Sequence, residues 1–328
     1  MKAIVVGYGS IGQRHVRNLL KFKDIKIIIC TKRTDINLKK EKRIKVFKSL
    51  EECLNENPDI GFITNETSLH VPTCIKLARK GIDLFIEKPL SNSNKELKKL
   101  LKIVKNKKLI TLMGCNLRFN PCIKKIKELI ESNQIGRIIS VQVHCGTFLP
   151  YWHPYEDYRL SYASKEKLGG GVILTVIHEI DYLYWFFGSV KEIFSISGKF
   201  SDLKLNVEDL SVSLLRFKNN IIAELHLDYF QIPNSRSCKI IGTKGVIQWD
   251  EETNVVKIYN IKNRRWINKI KVTKYDNNQE YLKEIAHFIK CVKNCKNSIN
   301  SIYEGEKTLQ IALAIKKASK SKKMVKLS

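Results

Sequence analysis

Residues 1–12 read Met1-Lys2-Ala3-Ile4-Val5-Val6-Gly7-Tyr8-Gly9-Ser10-Ile11-Gly12, an apolar run that ends in glycines spaced G-x-G-x-x-G. Ala3 to Val6 predicts a buried strand, and the residues from Ile11 onward predict a helix. Each glycine of such a turn has its own task. Gly7 allows the tight turn, Gly9 lets a diphosphate approach the backbone, and Gly12 lets helix and strand pack closely. The helix N-terminus adds amide donors and the positive end of its dipole. Gly7, Gly9, Ser10, Ile11 and Gly12 are therefore the expected contacts of a dinucleotide pyrophosphate.

Working outward, apolar runs recur at Ile25 to Cys30, Lys45 to Phe47, Ile60 to Thr64, Leu84 to Ile86 and Leu109 to Met113, with helical patterns between them. Fully apolar strands alternating with helices predict a parallel sheet covered on both faces, with ligands at the strand carboxyl ends. The second run ends at Cys30-Thr31-Lys32-Arg33, where an acidic residue on the ribose hydroxyls is absent. Lys32 and Arg33 would suit the 2′-phosphate of NADP, and Asp35, two residues further on, keeps NAD open.

Beyond a helix expected from about Phe119 to Ser132 the pattern changes to adjacent strands joined by turn signals such as Lys218-Asn219-Asn220. One helix from about Gly171 to Phe187 interrupts them, and helices near Gln279 to Cys295 and Glu304 to Ala318 close the chain. The expected architecture is an α/β Rossmann domain with a doubly wound parallel sheet over residues 1–118. An α+β substrate-binding and oligomerisation domain with an open, largely antiparallel sheet follows over 119–328, its C-terminal helices free to pack back on the first. An open sheet face predicts a homo-oligomer, a dimer or tetramer.

Four motifs add to the glycine loop: Asn65-Glu66-Thr67-Ser68-Leu69-His70, Glu87-Lys88-Pro89, Asn116-Leu117-Arg118-Phe119-Asn120-Pro121, and Gly169-Gly170-Gly171 followed by His178 and Asp181. In order and spacing the chain resembles the glucose-fructose oxidoreductase, inositol dehydrogenase and MocA family. The resemblance implies an NAD(P)-dependent oxidoreductase acting on a sugar, cyclitol or nucleotide sugar, with Lys88 and His178 at the reacting oxygen and Asn65, His70, Glu87 and Lys88 on the cofactor side. The tract Tyr151 to Tyr182 looks most like members associated with bacterial surface-sugar biosynthesis. Relatives often carry an aspartate three or four residues before the histidine. Leu174 and Thr175 stand there instead, which supports a rival reading as a cofactor-binding sensor or assembly protein with little catalysis.

Hydride transfer at a hydroxyl needs a matched proton transfer. A lysine acting near pH 7 must lose roughly three pK units, about 4 kcal/mol, whereas a histidine near 6.5 needs almost no adjustment. The arithmetic favours His178 as proton carrier, with charged Lys88 stabilising the developing alkoxide. Asp181, one turn after His178, is either its orienting partner or a helix-surface carboxylate. Asn116, Arg118, Tyr158, Arg159, Thr175 and Asp181 complete the expected substrate contacts.

The formal charge of +27 is spread along helix faces, with one dense stretch at Lys316 to Lys323 that reads as a frayed basic tail. Without clustering it predicts no nucleic-acid footprint, although it would attract anionic substrates. The nine cysteines show no C-x-x-C, which argues against a zinc site; Cys291 and Cys295 lie four apart on an expected helix, without partners to complete a tetrahedron. No metal and no membrane partner are expected. With no run of eighteen apolar residues and a strand pattern from the first residues, the expected location is cytoplasmic.

Overall fold

The computed structural model of the chain describes residues 1–328 except 35, 37–40, 155, 263 and 328. It divides into two compact units, Met1–Asn116 with Asn277–Glu306, and Leu117–Asp276 with Lys307–Ser328.

In the first unit β1 (Lys2–Val6), α1 (Ser10–Leu19), β2 (Lys26–Cys30), β3 (Ile44–Phe47), α2 (Leu50–Asn55), β4 (Ile60–Ile63), α3 (His70–Arg79), β5 (Asp83–Glu87), α4 (Leu97–Lys107) and β6 (Thr111–Gly114) follow in order. Among the described residues six strands form one sheet in the order β3-β2-β1-β4-β5-β6, every pair parallel. Strand order reverses at β1, so the carboxyl ends of β1 and β4 flank the crevice where such sheets bind ligands. All four residues of β4 and the last four of β1 and β5 are buried, as strands covered on both faces must be.

The second unit holds α5 (Pro121–Glu131), β7 (Ile138–Phe148), α6 (Val172–Thr175), α7 (His178–Phe187), β8 (Val190–Gly198), β9 (Leu210–Phe217), β10 (Ile222–Asp228), β11 (Phe230–Gly242), β12 (Gly245–Asp250), β13 (Val255–Asn260) and β14 (Arg265–Lys271). Three further elements end the chain: α8 (Asn278–Lys293), α9 (Ile302–Ser321) and β15 (Val325–Lys326). Nine described strands form the second sheet, in the order β14-β13-β12-β11-β7-β10-β9-β8-β15. Its pairs are antiparallel except β7 with β10.

Helix α8 belongs to the first unit, where Ile285, Phe288 and Ile289 join Val5, Ile27, Phe62, Phe85 and Leu112 in one core. Phe288 meets the stacked pair Phe62 and Phe85 edge-on, at 5.9 and 5.8 Å between ring centres. This helix ends at Lys293, and Cys295 takes a left-handed φ of 49°, so Cys291 and Cys295 do not share the helical face expected for them.

Two other expectations are corrected. The helix predicted over 171–187 is broken: Val176, at φ −99° and ψ 44°, separates α6 from α7. The run Val172-Ile173-Leu174-Thr175-Val176-Ile177 is rich in β-branched residues, which lose χ1 freedom in a helix, and all six are buried, so packing decides its path. The basic stretch from Lys316 is not frayed either. Ile311, Ala312, Ala314, Ile315 and Ala318 bury one face of α9, Lys316 pairs with Glu208 at 3.1 Å, and Val325–Lys326 add a short edge strand to β8. Among the described residues no helix is long and apolar enough to cross a membrane.

Candidate active site

The glycine loop is pinned from several sides. Gly7 N–H donates to Cys30 O at 3.0 Å, and Thr64 Oγ1 donates to Val6 O and Gly7 O at 3.0 and 2.8 Å. Gly7 sits at φ +100°, and a Cβ there would stand 2.6 Å from Asn65 N. At Gly12 a Cβ would collide with Gly7 O and stand 3.0 Å from Thr64 Oγ1. Both glycines are thus required by the fold itself.

Gly9 is different. Its backbone is extended at φ −76°, and nothing lies within 4 Å of the place its Cβ would occupy. No internal contact demands a glycine there, which leaves close approach from outside as the reason for it. Gly9 and Ser10 are exposed at the N-terminus of α1, with no acidic residue in its first turn. The residues present fit the diphosphate cradle that the loop predicts. We expect Gly9→Val to abolish cofactor binding in fluorescence titration while leaving the thermal unfolding midpoint nearly unchanged. A variant that binds normally would place the diphosphate elsewhere.

Lys32 and Arg33 are exposed just past β2. The Arg33 guanidinium reaches Tyr8 O at 3.5 Å, which puts it beside the glycine loop. Asp35 lies outside the described residues, as does Tyr155 of the aromatic tract.

At the carboxyl end of β5, buried Glu87 is held on both oxygens: His15 Nε2 donates to Oε1 at 2.6 Å, and Lys88 N–H donates to Oε2 at 3.2 Å. Half-buried Lys88 follows, with a cis bond to Pro89. His70, expected on the cofactor, is instead buried at 1% exposure, its ring nitrogens 2.8 Å from Pro89 O and 3.0 Å from Asn65 O. Burial lowers its pKa, against the opposing pull of the two carbonyls. It therefore ties the Asn65 loop to the Lys88 turn, while Asn65 Nδ2 donates to Thr73 Oγ1 at 3.0 Å. The pairing of His15 with Glu87 was not foreseen, although His15 lies one helical turn beyond Gly12.

Asn116 is buried and donates to Glu280 Oε2 at the start of α8, a packing role rather than an open contact.

In the second unit the glycine run sets the entry to α6. A Cβ at Gly171, φ +103°, would press into the Glu208 carboxylate, and Val172 N–H donates to Glu208 O at 3.0 Å. His178 opens α7 and is half-buried. The neighbouring Glu179 is buried, its carboxyl pushed up by desolvation and held down by Arg236, whose Nε is 2.8 Å away.

Asp181 is neither at the helix surface nor a free partner for an imidazole. It is 2% exposed and accepts from Arg118 Nε at 2.8 Å and Nη2 at 2.9 Å. The Arg118 side chain is itself fully buried, with its guanidinium over the Trp185 ring at 5.3 Å. Each charge satisfies the other, so this pair fixes α7 to the segment before α5 instead of facing substrate. Thr175 is also buried, its hydroxyl toward the Tyr229 phenol, whose pKa burial raises. Because the chain breaks at Val176, Thr175 and His178 do not share the continuous helical face assumed from their spacing. In the outer loop Tyr158 Oη accepts from Lys204 N–H at 3.0 Å, and exposed Arg159 pairs with Asp157 at 2.7 Å.

A family model described as the NAD-binding Rossmann fold of an oxidoreductase family matches residues 1–115, and one for that family's C-terminal alpha/beta domain matches 127–327. Myo-inositol 2-dehydrogenase of Thermotoga maritima is 27% identical over 347 residues, covering 100% of this chain and 98% of the relative. The scyllo-inositol 2-dehydrogenase (NAD(+)) of Bacillus subtilis is 24% identical, covering 96% and 92%. Among solved structures, a levoglucosan dehydrogenase in complex with NADH superposes with a TM-score of 0.88 at 18% identity, covering 100% of this chain and 99% of that one. A probable dehydrogenase from Thermotoga maritima superposes with a TM-score of 0.80 at 26% identity, covering 99% of each. With both family models matched along its length, the chain belongs to the glucose-fructose oxidoreductase, inositol dehydrogenase and MocA family of NAD-binding oxidoreductases.

Proposed function

We propose that this protein is an NAD(P)-dependent dehydrogenase or reductase working on a CH–OH or carbonyl carbon of a sugar or cyclitol. The carrying observation lies within the first sheet: the open approach at Gly9 after β1 and the braced Lys88 after β5 sit at carboxyl ends of parallel strands of one sheet. The names of the inositol and levoglucosan relatives support the substrate class.

When bound, the nicotinamide supplies or accepts the hydride. His178 takes the hydroxyl proton during oxidation and returns it in the reverse direction. Lys88 holds the oxygen and offsets its developing negative charge. Glu87, gripped by His15, sets where the Lys88 backbone lies.

The net charge of +27 favours anionic substrates, so nucleotide sugars of the kind used in surface-sugar biosynthesis belong in the substrate panel. The protein also works as a homo-oligomer on this reading. Phe194, Ile196, Val212, Leu214 and Ile222 leave 40% or more of their surface exposed on β8, β9 and β10, a patch that a second copy would cover.

The test is cofactor reduction, followed by absorbance, across polyols, anhydrosugars, aldoses and nucleotide sugars. Turnover with at least one polyol or sugar is expected. Tight cofactor binding with no turnover on any member would return the protein to the sensor reading that Thr175 supports.

Cofactor choice is a separate outcome. Lys32 and Arg33 beside the loop favour NADP, and one charge-assisted phosphate contact corresponds to at least about a tenfold preference for NADPH over NADH. Replacing both with alanine should remove that preference and leave NADH affinity unchanged. Equal affinities in the unaltered protein would refute it.

A further inference from the structure

We propose a divalent transition-metal site of the zinc class on the second sheet, formed by His144 of β7 with His226 and Asp228 of β10. One ligand atom from each of the three lies within 4.8 Å of the others. The parallel register places His226 directly beside His144 and Asp228 beside Gly146, and the two-residue period puts all of them on one face, opposite the buried Val143, Cys145, Leu225 and Leu227.

The ligands are held by a second layer of contacts. Asp228 Oδ1 accepts the N–H groups of Phe230 and Gln231 at 3.1 and 2.8 Å, which aims Oδ2 at His226 Nε2, 2.9 Å away. Gln231 Oε1 sits 2.6 Å from His144 Nε2. The two imidazoles stack with ring centres 4.6 Å apart and planes 20° from parallel, so both rings must rotate out of the stack for their in-plane lone pairs to meet at one ion. The strand leaves room for this arrangement. A Cβ at Gly146 would collide with Gln231 Oε1 and stand 2.6 Å from Asp228 Oδ2.

Bond lengths of about 2.0–2.2 Å place tetrahedral zinc ligands about 3.4 Å apart. Rotation of His144 and His226 closes the remaining gap, while Asp228 stays fixed by the backbone. Two imidazoles and one carboxylate match the donor set of open zinc sites, with Gln231 Oε1 or water left for the fourth position. Asp228 is almost fully buried, and in the single chain the His226 side chain is 36% exposed. Bound there, an ion would staple the parallel pair β7 and β10.

The full-length protein, stripped with chelator and desalted, is titrated with zinc chloride against a chromophoric competitor. One zinc per chain is expected, with affinity at least about tenfold lower in His144→Ala and in His226→Ala. Asp228→Asn keeps the oxygen that caps the Phe230 turn and should weaken binding likewise, so the site stays testable if a histidine variant fails to fold. Cys295→Ser removes an exposed thiol and should change nothing. X-ray absorption on the zinc form should show nitrogen and oxygen neighbours. No competitive binding by the unaltered protein, loss of binding in Cys295→Ser, unchanged affinity in His144→Ala and His226→Ala, or sulfur bound to the metal would each overturn the site.

Discussion

Replacing His178 with alanine is expected to lower turnover by about 10²- to 10⁴-fold and to change cofactor affinity little, because the residue would lose a proton transfer and no cofactor contact. The backbone that carries it is fixed at two nearby points: buried Glu179 pairs with half-buried Arg236 at 2.8 Å, and Asp181 pairs with Arg118. The imidazole is therefore presented from a rigid start of α7. Lys88→Ala should also slow the reaction, through loss of a charge aimed at the oxygen. The two separate by pH. A base must be unprotonated to accept the hydroxyl proton, so alcohol oxidation should fall on the acid side as His178 takes up a proton. That limb should vanish in His178→Ala and persist in Lys88→Ala. A limb that survives in His178→Ala and disappears in Lys88→Ala would reverse the two roles.

What the sequence made legible follows from how local each signal is. Ala3 to Val6 and Ile60 to Ile63 are apolar at every position because both faces of the first sheet are covered, so the parallel sheet could be read without any contact in view. The glycine loop was equally plain. The structure then separates Gly9, whose side-chain space is open, from Gly7 and Gly12, which the fold needs for its own packing.

Exposed edges were harder. Arg265–Lys271 has no buried residue, and its sequence lacks the alternation that marks a half-buried strand; β15 is two residues long. The break at Val176 was hidden because no glycine or proline marks it, and the buried aliphatic run in which it lies reads equally well as helix. Long-range polar pairs were hidden for a different reason. His15 and Glu87 are 72 positions apart, and His144 meets His226 only through the parallel register of two strands distant in the chain. The H-x-D spacing of His226 and Asp228 was the available local sign, since residues two apart on a strand share a face.

The same long-range blindness explains Arg118 and Asp181, 63 residues apart, which looked like substrate contacts and are instead a closed ion pair. Truncating one partner should have the largest effect on stability of any single change considered. With side chains 0% and 2% exposed, Asp181→Ala would leave a guanidinium buried without its carboxylate, which typically costs about 3–5 kcal/mol. Arg118→Ala should cost a similar amount, since it strands the carboxylate and also removes the contact with the Trp185 ring. Replacing both partners together by apolar side chains, Arg118→Met with Asp181→Leu, removes two desolvation penalties at once and should recover most of the loss. Urea unfolding of the single and double variants closes the cycle, provided the denaturant slope stays constant. A coupling energy near zero would mean that water already screens the pair. If the double variant is stable yet its substrate KM rises while cofactor affinity holds, the pair acts on substrate by positioning α7. If neither constant moves, its work ends with the fold.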